Sequence, residues 1–150
     1  LWQALLDDRL DVIATDHAPH TWAEKQEDYE HAHAGLPLVQ HSLALMLHYV
    51  NEGTISLEKV VEKMSHAVAR CFQGKERGSI REGYYADLVL INLNASATIS
   101  KENILYKCGW SPLEGFSTPV ITNSFVNGHL VYGNGAFDES QMGMRLRFNR

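Results

Sequence analysis

The chain has 150 residues, 45% of them apolar and 21% charged, a balance that fits one ordinary globular unit. Eighteen acidic side chains outweigh thirteen basic ones for a formal charge of −5, which argues against a nucleic-acid grip, because that needs a basic face to displace counterions. No apolar stretch approaches the roughly 20 residues of a membrane span, and Leu1–Asp8 lacks the basic-then-apolar order of a signal peptide. Cys71 and Cys108 have no CxxC spacing, so neither a disulfide framework nor a cysteine zinc site is indicated, and a reducing, cytoplasmic compartment is the default. The chain begins at Leu1 with no initiator Met, as a piece of a longer protein would.

The first half reads as α/β. Leu10–Thr15 is a short β-branched run expected to form a buried strand, and it stops at Asp16-His17-Ala18-Pro19-His20, where the proline removes a ladder donor. Residues 21–35 are polar and loop-like. Leu36, Val39, Leu43, Met46, Leu47 and Val50 then make one helical stripe that ends at Asn51-Glu52-Gly53. Ser56 caps a second helix with the stripe Leu57, Val60, Val61, Met64, Val68, Cys71 and Phe72, closed by Gly74; on that stripe Cys71 reads as core and not as a reactive thiol.

After Gly78 the pattern turns to strands. Ala86–Ile91 is a dense β-forming run, and Val120–Val126 and His129–Tyr132 flank Asn127-Gly128, the dipeptide that best fits a type I′ hairpin turn. Asn134-Gly135 punctuates again, and Arg145–Arg150 reads as a basic, solvated end. A boundary near residues 74–80 separates a helical, catalytic-looking segment 1–77 from a β-rich segment 78–150. Residues 1–75 hold six basic and eleven acidic side chains, whereas residues 76–150 hold seven of each.

The chemistry is concentrated in Thr15-Asp16-His17-Ala18-Pro19-His20. A carboxylate just past a parallel strand is where α/β barrels place catalytic groups. Asp16 has the chemistry to bind a metal through one oxygen and hold a proton with the other, and His20 lies close enough along the chain to meet an anionic substrate group. Taken alone, such an Asp-His pair is more often a loop cap with histidines satisfying backbone groups.

The context is more specific. Asp16-His17-Ala18-Pro19-His20-Thr21, then Glu24-Lys25-Gln26, Ala34-Gly35-Leu36-Pro37, Cys108-Gly109-Trp110-Ser111-Pro112-Leu113-Glu114-Gly115 and Phe125-Val126-Asn127-Gly128 together resemble the dihydroorotase family of metal-dependent amidohydrolases over nearly the whole chain. The resemblance implies the C-terminal part of a (β/α)8 TIM-type barrel, followed by strands of a β-sandwich built from both chain ends. It implies reversible cyclisation of N-carbamoyl-L-aspartate to L-dihydroorotate in pyrimidine synthesis. By the same resemblance Asp16 ligates one of two zinc ions and shuttles a proton to the ring nitrogen, His20 holds the substrate carboxylate, and the backbone of Ala34 and Gly35 contacts the substrate ring.

The family's remaining ligands, a His-x-His, a carboxylated lysine and two further histidines, are expected upstream of Leu1. A complete barrel needs about 250 residues, so the expected partner is the N-terminal remainder of the same protein, with a homo-oligomer possible and no membrane or nucleic acid involved. One carboxylate does not make a zinc centre, which takes about three protein ligands, so the 150 residues alone are expected to be inactive. His31-Ala32-His33 does not supply the missing His-x-His, since it follows Asp16 and lies in a polar loop; His33 reads as a solvent-facing neighbour of Ala34-Gly35. His41 and His48 read as helix-face residues, Glu24 and Lys25 as loop charges, and Trp110–Pro112 with Glu114 as a turn pinning the β half to the barrel. Two rival readings remain: another cyclic amidohydrolase of hydantoinase or allantoinase type, and a non-catalytic dihydroorotase-like subunit supporting a partner such as aspartate transcarbamoylase.

Overall fold

The structure is a computed structural model that describes residues 1–133 and 135–149. Helices α1 (Trp2–Leu6), α2 (Trp22–Lys25), α3 (Ser42–Asn51), α4 (Leu57–Val61) and α5 (Ala67–Phe72) precede an antiparallel sheet of β1 (Leu88–Thr98), β2 (Ser117–Val126), β3 (His129–Gly133) and β4 (Ala136–Phe137), paired in that order. The expected Asn134-Gly135 punctuation falls partly outside the described residues, as does Arg150 of the basic tail.

The helical core gathers Leu5, Met46, Ile55 and Val60, with Ile13, Leu43, Tyr49, Val50 and Met64 packed around them. Leu47 is fully buried. The first helical stripe is only partly realised, because Leu36 and Val39 stand exposed ahead of α3. Ser56 caps α4 as its sequence position requires, its hydroxyl accepting from the Lys59 N–H at 3.1 Å.

Two expectations fail here. Leu10–Thr15 is not a buried strand, since a parallel strand needs neighbours and the described residues offer it none. It docks instead on a π turn, Glu62–His66, inserted between α4 and α5: the Ile13 N–H donates to the Lys63 carbonyl at 3.1 Å, and Lys63 Nζ donates to the Leu10 carbonyl and meets Asp8 at 3.0 Å. A π turn adds a residue to the helical repeat and shifts the phase of everything after it. The shift does not separate Ala67 from Cys71, which lie one turn apart on α5: Lys63 and Ala67 are buried, whereas Cys71 and Phe72, in the last turn of the helix, are exposed, so Cys71 is not a core residue. The helix also ends one residue earlier than expected, on Gln73 in the left-handed conformation.

The β half follows its sequence closely. Asn127 (φ 52°) and Gly128 (φ 85°) both take the positive φ that a type I′ turn demands. Arg77 clamps this turn to the start of β1, pairing with Asp87 and donating to Asn127 Oδ1 at 2.6 Å, while Asp87 accepts from the Asn127 N–H at 2.7 Å. The C-terminal tail is exposed, yet its backbone is tied down: the Lys75 N–H donates to the Arg147 carbonyl and the Asn149 N–H to the Gln73 carbonyl. No helix among the described residues is long and apolar enough to cross a membrane.

His41, just ahead of α3, is 5% exposed and its Nδ1 has no hydrogen-bond partner among the described residues. Burial pushes its basicity below that of an ordinary imidazole. The unfolded chain therefore takes up the proton first as pH falls, so the stability that depends on neutral His41 is complete above about pH 6.5 and is lost as pH drops below it. Replacing His41 with Leu should flatten this segment of the complete protein's stability-against-pH curve, measured by denaturant midpoints. An unchanged slope in His41→Leu would show that the buried ring does not titrate with folding.

Candidate active-site loop

The loop after residue 15 is closed by a short parallel bridge between His17 and Leu36, with the Ala18 N–H donating to the Leu36 carbonyl at 3.1 Å. The bridge depends on Gly35, at φ +95°: a side chain there would be strained by its backbone, and its Cβ would overlap the Ala18 methyl group. Gly35 thus brings the Ala34-Gly35 segment against the Asp16–His20 loop, uniting two parts of the chain that the sequence singled out separately.

Within the loop the two histidines of the motif are treated differently. His17 Nδ1 accepts from the backbone N–H groups of Leu38 at 3.0 Å and Val39 at 3.2 Å, which places its ring proton on Nε2. It is a loop anchor. His20 keeps its ring accessible while its carbonyl accepts from Trp110 Nε1 at 2.9 Å, so the 108–115 turn does pin the β half to this loop. Trp110 is buried, and Trp22 packs edge-on against it with ring centroids 5.3 Å apart.

Asp16 is exposed and takes φ 45°, an uncommon conformation for a residue with a side chain. Among the described residues its carboxylate has no hydrogen-bond or ion-pair partner. A charged oxygen donor held in strained backbone at the end of an ordered loop has the chemistry of a metal ligand and the features of a functional position.

Sequence reasoning assigned little to Glu24, Lys25 and His33. In the structure Thr21 and Glu24 form a reciprocal capping box on α2, with the Thr21 N–H donating to Glu24 Oε2 at 2.7 Å and Thr21 Oγ1 to the same oxygen at 2.8 Å. These hydrogen bonds hold the Glu24 carboxyl below the usual carboxylate range. Lys25 Nζ reaches the carbonyls of His33 and Gly35, the latter at 3.2 Å, so it is a clasp and not a free loop charge. His33 is exposed, as expected, but its ring stacks on His20 with centroids 4.4 Å apart and planes within 4°. His20, Glu24 and His33 form a compact cluster with one donor atom from each lying within 4.8 Å of the others; Asp16 stands outside it. Nothing in the spacing of His20 and His33 announces this contact, because the intervening loop has no periodicity.

A second set of contacts secures the approach to α3. Gln40 Nε2 donates to the Asn103 carbonyl at 2.7 Å, its Oε1 accepts from the Leu105 N–H at 2.8 Å, and Tyr106 Oη donates to the Pro37 carbonyl at 3.0 Å.

Residues 1–131 match the amidohydrolase family. The chain is 36% identical over 141 residues to a dihydroorotase of Halobacterium salinarum, covering 92% of this chain and 33% of that protein, and 43% identical over 116 residues to a dihydroorotase of Pyrococcus abyssi, covering 77% and 27%. Among solved structures it resembles a D-hydantoinase from Thermus sp. (25% identity, TM-score 0.83, covering 91% of this chain and 31% of that one) and an L-hydantoinase from Arthrobacter aurescens (27%, TM-score 0.82, 91% and 32%). The chain thus spans about a third of the length of the relatives it matches.

The Gly35 contact yields a direct test. Gly35→Ala must push the Asp16–His20 loop away, and overpacking of this kind costs about 1–3 kcal/mol. Adding Ala18→Gly removes the opposing methyl and should recover part of that loss in denaturant unfolding of the complete protein, the remainder being backbone strain. No recovery in the double variant would mean that the two segments are not in contact. With the family match over residues 1–131 and relatives at 36% and 43% identity covering most of its length, the chain belongs to the amidohydrolase family.

Proposed function

We propose that the complete protein is a dihydroorotase, a zinc-dependent cyclic amide hydrolase that interconverts N-carbamoyl-L-aspartate and L-dihydroorotate in pyrimidine synthesis. The observation that carries this reading is the uncommitted Asp16 carboxylate, which shares with His20 a loop closed by Gly35 and held by Trp110. The relatives at 36% and 43% identity are dihydroorotases, and the intact Asp16-His17-Ala18-Pro19-His20 supports the same reading.

In this reading residues 1–77 complete a barrel and residues 78–150 contribute strands to a sandwich. The other strands and metal ligands come from upstream in the same protein. The exposed Val89 and Leu90 of β1 and Phe137 of β4 fit a sheet that has more chain to cover it.

Zinc bound at Asp16 and at the upstream ligands would supply an acidified water and a polarised amide carbonyl. The chain's own residues do the rest. Asp16 uses one carboxylate oxygen as a ligand and the other as general base, accepting the proton and delivering it to the ring nitrogen as the amide opens. His20 donates from its ring to the substrate carboxylate, with its backbone fixed by Trp110 so that the ring does not wander. Ala34 and Gly35 present backbone groups to the ring, and the missing Gly35 side chain lets them pack against Ala18 beside the motif. His17 takes no part beyond anchoring the loop.

A hydantoinase-type reaction is the second reading, and the close structural match to hydantoinases favours it. The substrates separate the two: dihydroorotate carries a carboxylate for His20, and a hydantoin ring does not require one.

Asp16→Asn keeps the shape and removes the proton acceptor, so kcat for dihydroorotate hydrolysis should fall at least about a hundredfold; near-normal turnover would take Asp16 out of the mechanism. His20→Ala should weaken dihydroorotate binding by about 1.5–3 kcal/mol while tightly bound zinc stays unchanged. Loss of that zinc with substrate affinity intact would reverse the assignment, and preference for a hydantoin over dihydroorotate in the parent enzyme would select the second reading.

A further inference from the structure

The cluster of His20, Glu24 and His33 contains more than carboxylate binding by His20 requires. Two imidazoles lie face to face within 4.4 Å, and His20 Nδ1 lies 4.0 Å from Glu24 Oε2. Two nitrogen donors and one carboxylate form the donor set of a borderline transition cation; calcium and magnesium prefer oxygen alone.

We propose that His20, Glu24 and His33 form a separate, weaker site for a divalent cation of the zinc class at the mouth of the active-site loop, and that filling it withdraws His20 from the substrate. Tetrahedral zinc with bonds of about 2.0–2.1 Å brings its ligand atoms to roughly 3.3 Å from one another. The present donor atoms lie within 4.8 Å, so closure takes about an ångström or more of movement. Exposed His33 and Glu24 supply that movement by side-chain rotation alone. Their backbones stay put, because Thr21 caps α2, Lys25 Nζ holds the His33 carbonyl and Trp110 holds the His20 carbonyl. Glu24 has an oxygen to spare, since the capping contacts use Oε2 and leave Oε1 uncommitted. The site is weaker than a structural zinc centre because it has three ligands, all reachable by water.

Metal binding here stands on this geometry alone. The competition with substrate rests on the reading of His20 as the carboxylate contact. The experiment uses the complete protein with its catalytic metal in place. It is titrated with Co2+ by equilibrium dialysis and visible absorption, beside His33→Ala and Glu24→Gln; the glutamine still completes the capping box, so α2 is preserved. The parent should bind one further equivalent, and each variant should bind it at least about tenfold more weakly, a loss that even an outer-sphere partner of a metal can cause. Equal stoichiometry and affinity in all three proteins would overturn the site. Excess Zn2+ should raise the KM for dihydroorotate in the parent and not in His33→Ala; an extra equivalent that leaves KM untouched would overturn the sharing of His20. Failure of the parent to hydrolyse dihydroorotate at low metal would count against the proposed function and leave the metal titration to decide this site.

Discussion

The close approach of Gly35 to Ala18 is the constraint on which the candidate site depends. It is possible only because Gly35 lacks a side chain and accepts a left-handed φ. From it follow the His17–Leu36 bridge, the anchoring of His17 on the Leu38 and Val39 N–H groups, and the placement of the Ala34-Gly35 backbone beside the motif. With Asp16 and His20 at either end of a loop fixed at its middle, the loop has little freedom to misplace them. That is how a segment without regular secondary structure attains the order that a catalytic site needs.

The β half contributes by reaching back. Trp110 holds the His20 carbonyl, Gln40 exchanges two hydrogen bonds with the segment around Asn103 and Leu105, and Tyr106 holds Pro37. Each contact spans more than sixty residues of sequence, so the β half is tied directly to the loop and to the approach to α3. The π turn at Glu62–His66 does a similar service for the segment leading into Asp16, offering its Lys63 carbonyl to Ile13 and the Lys63 ammonium to Leu10.

What was legible in the sequence is what local chemistry decides. Ser56 as a cap and Asn127-Gly128 as a type I′ turn each carry their meaning within a few residues, and the family was legible from several short motifs taken together. What was not legible depends on distant neighbours and on where a helix stops. Leu10–Thr15 has strand composition but, among the described residues, no strand to pair with, and Cys71 stands exposed in the last turn of α5, where the helix ends on left-handed Gln73. The stacking of His33 on His20 and the burial of His41 are tertiary outcomes of a loop and a helix start with no periodic signal to read.

In the proposed function the Asp16–His20 loop carries one metal-holding, proton-moving carboxylate and one substrate-holding imidazole. The most direct measurement is a crystal structure of the complete protein with its catalytic metal and dihydroorotate bound, the metal located by anomalous scattering. The account predicts the catalytic metal within bonding distance of an Asp16 oxygen and the ligand's carboxylate against the His20 ring. A catalytic metal that leaves Asp16 uncoordinated, or a ligand whose carboxylate faces away from His20, would contradict it.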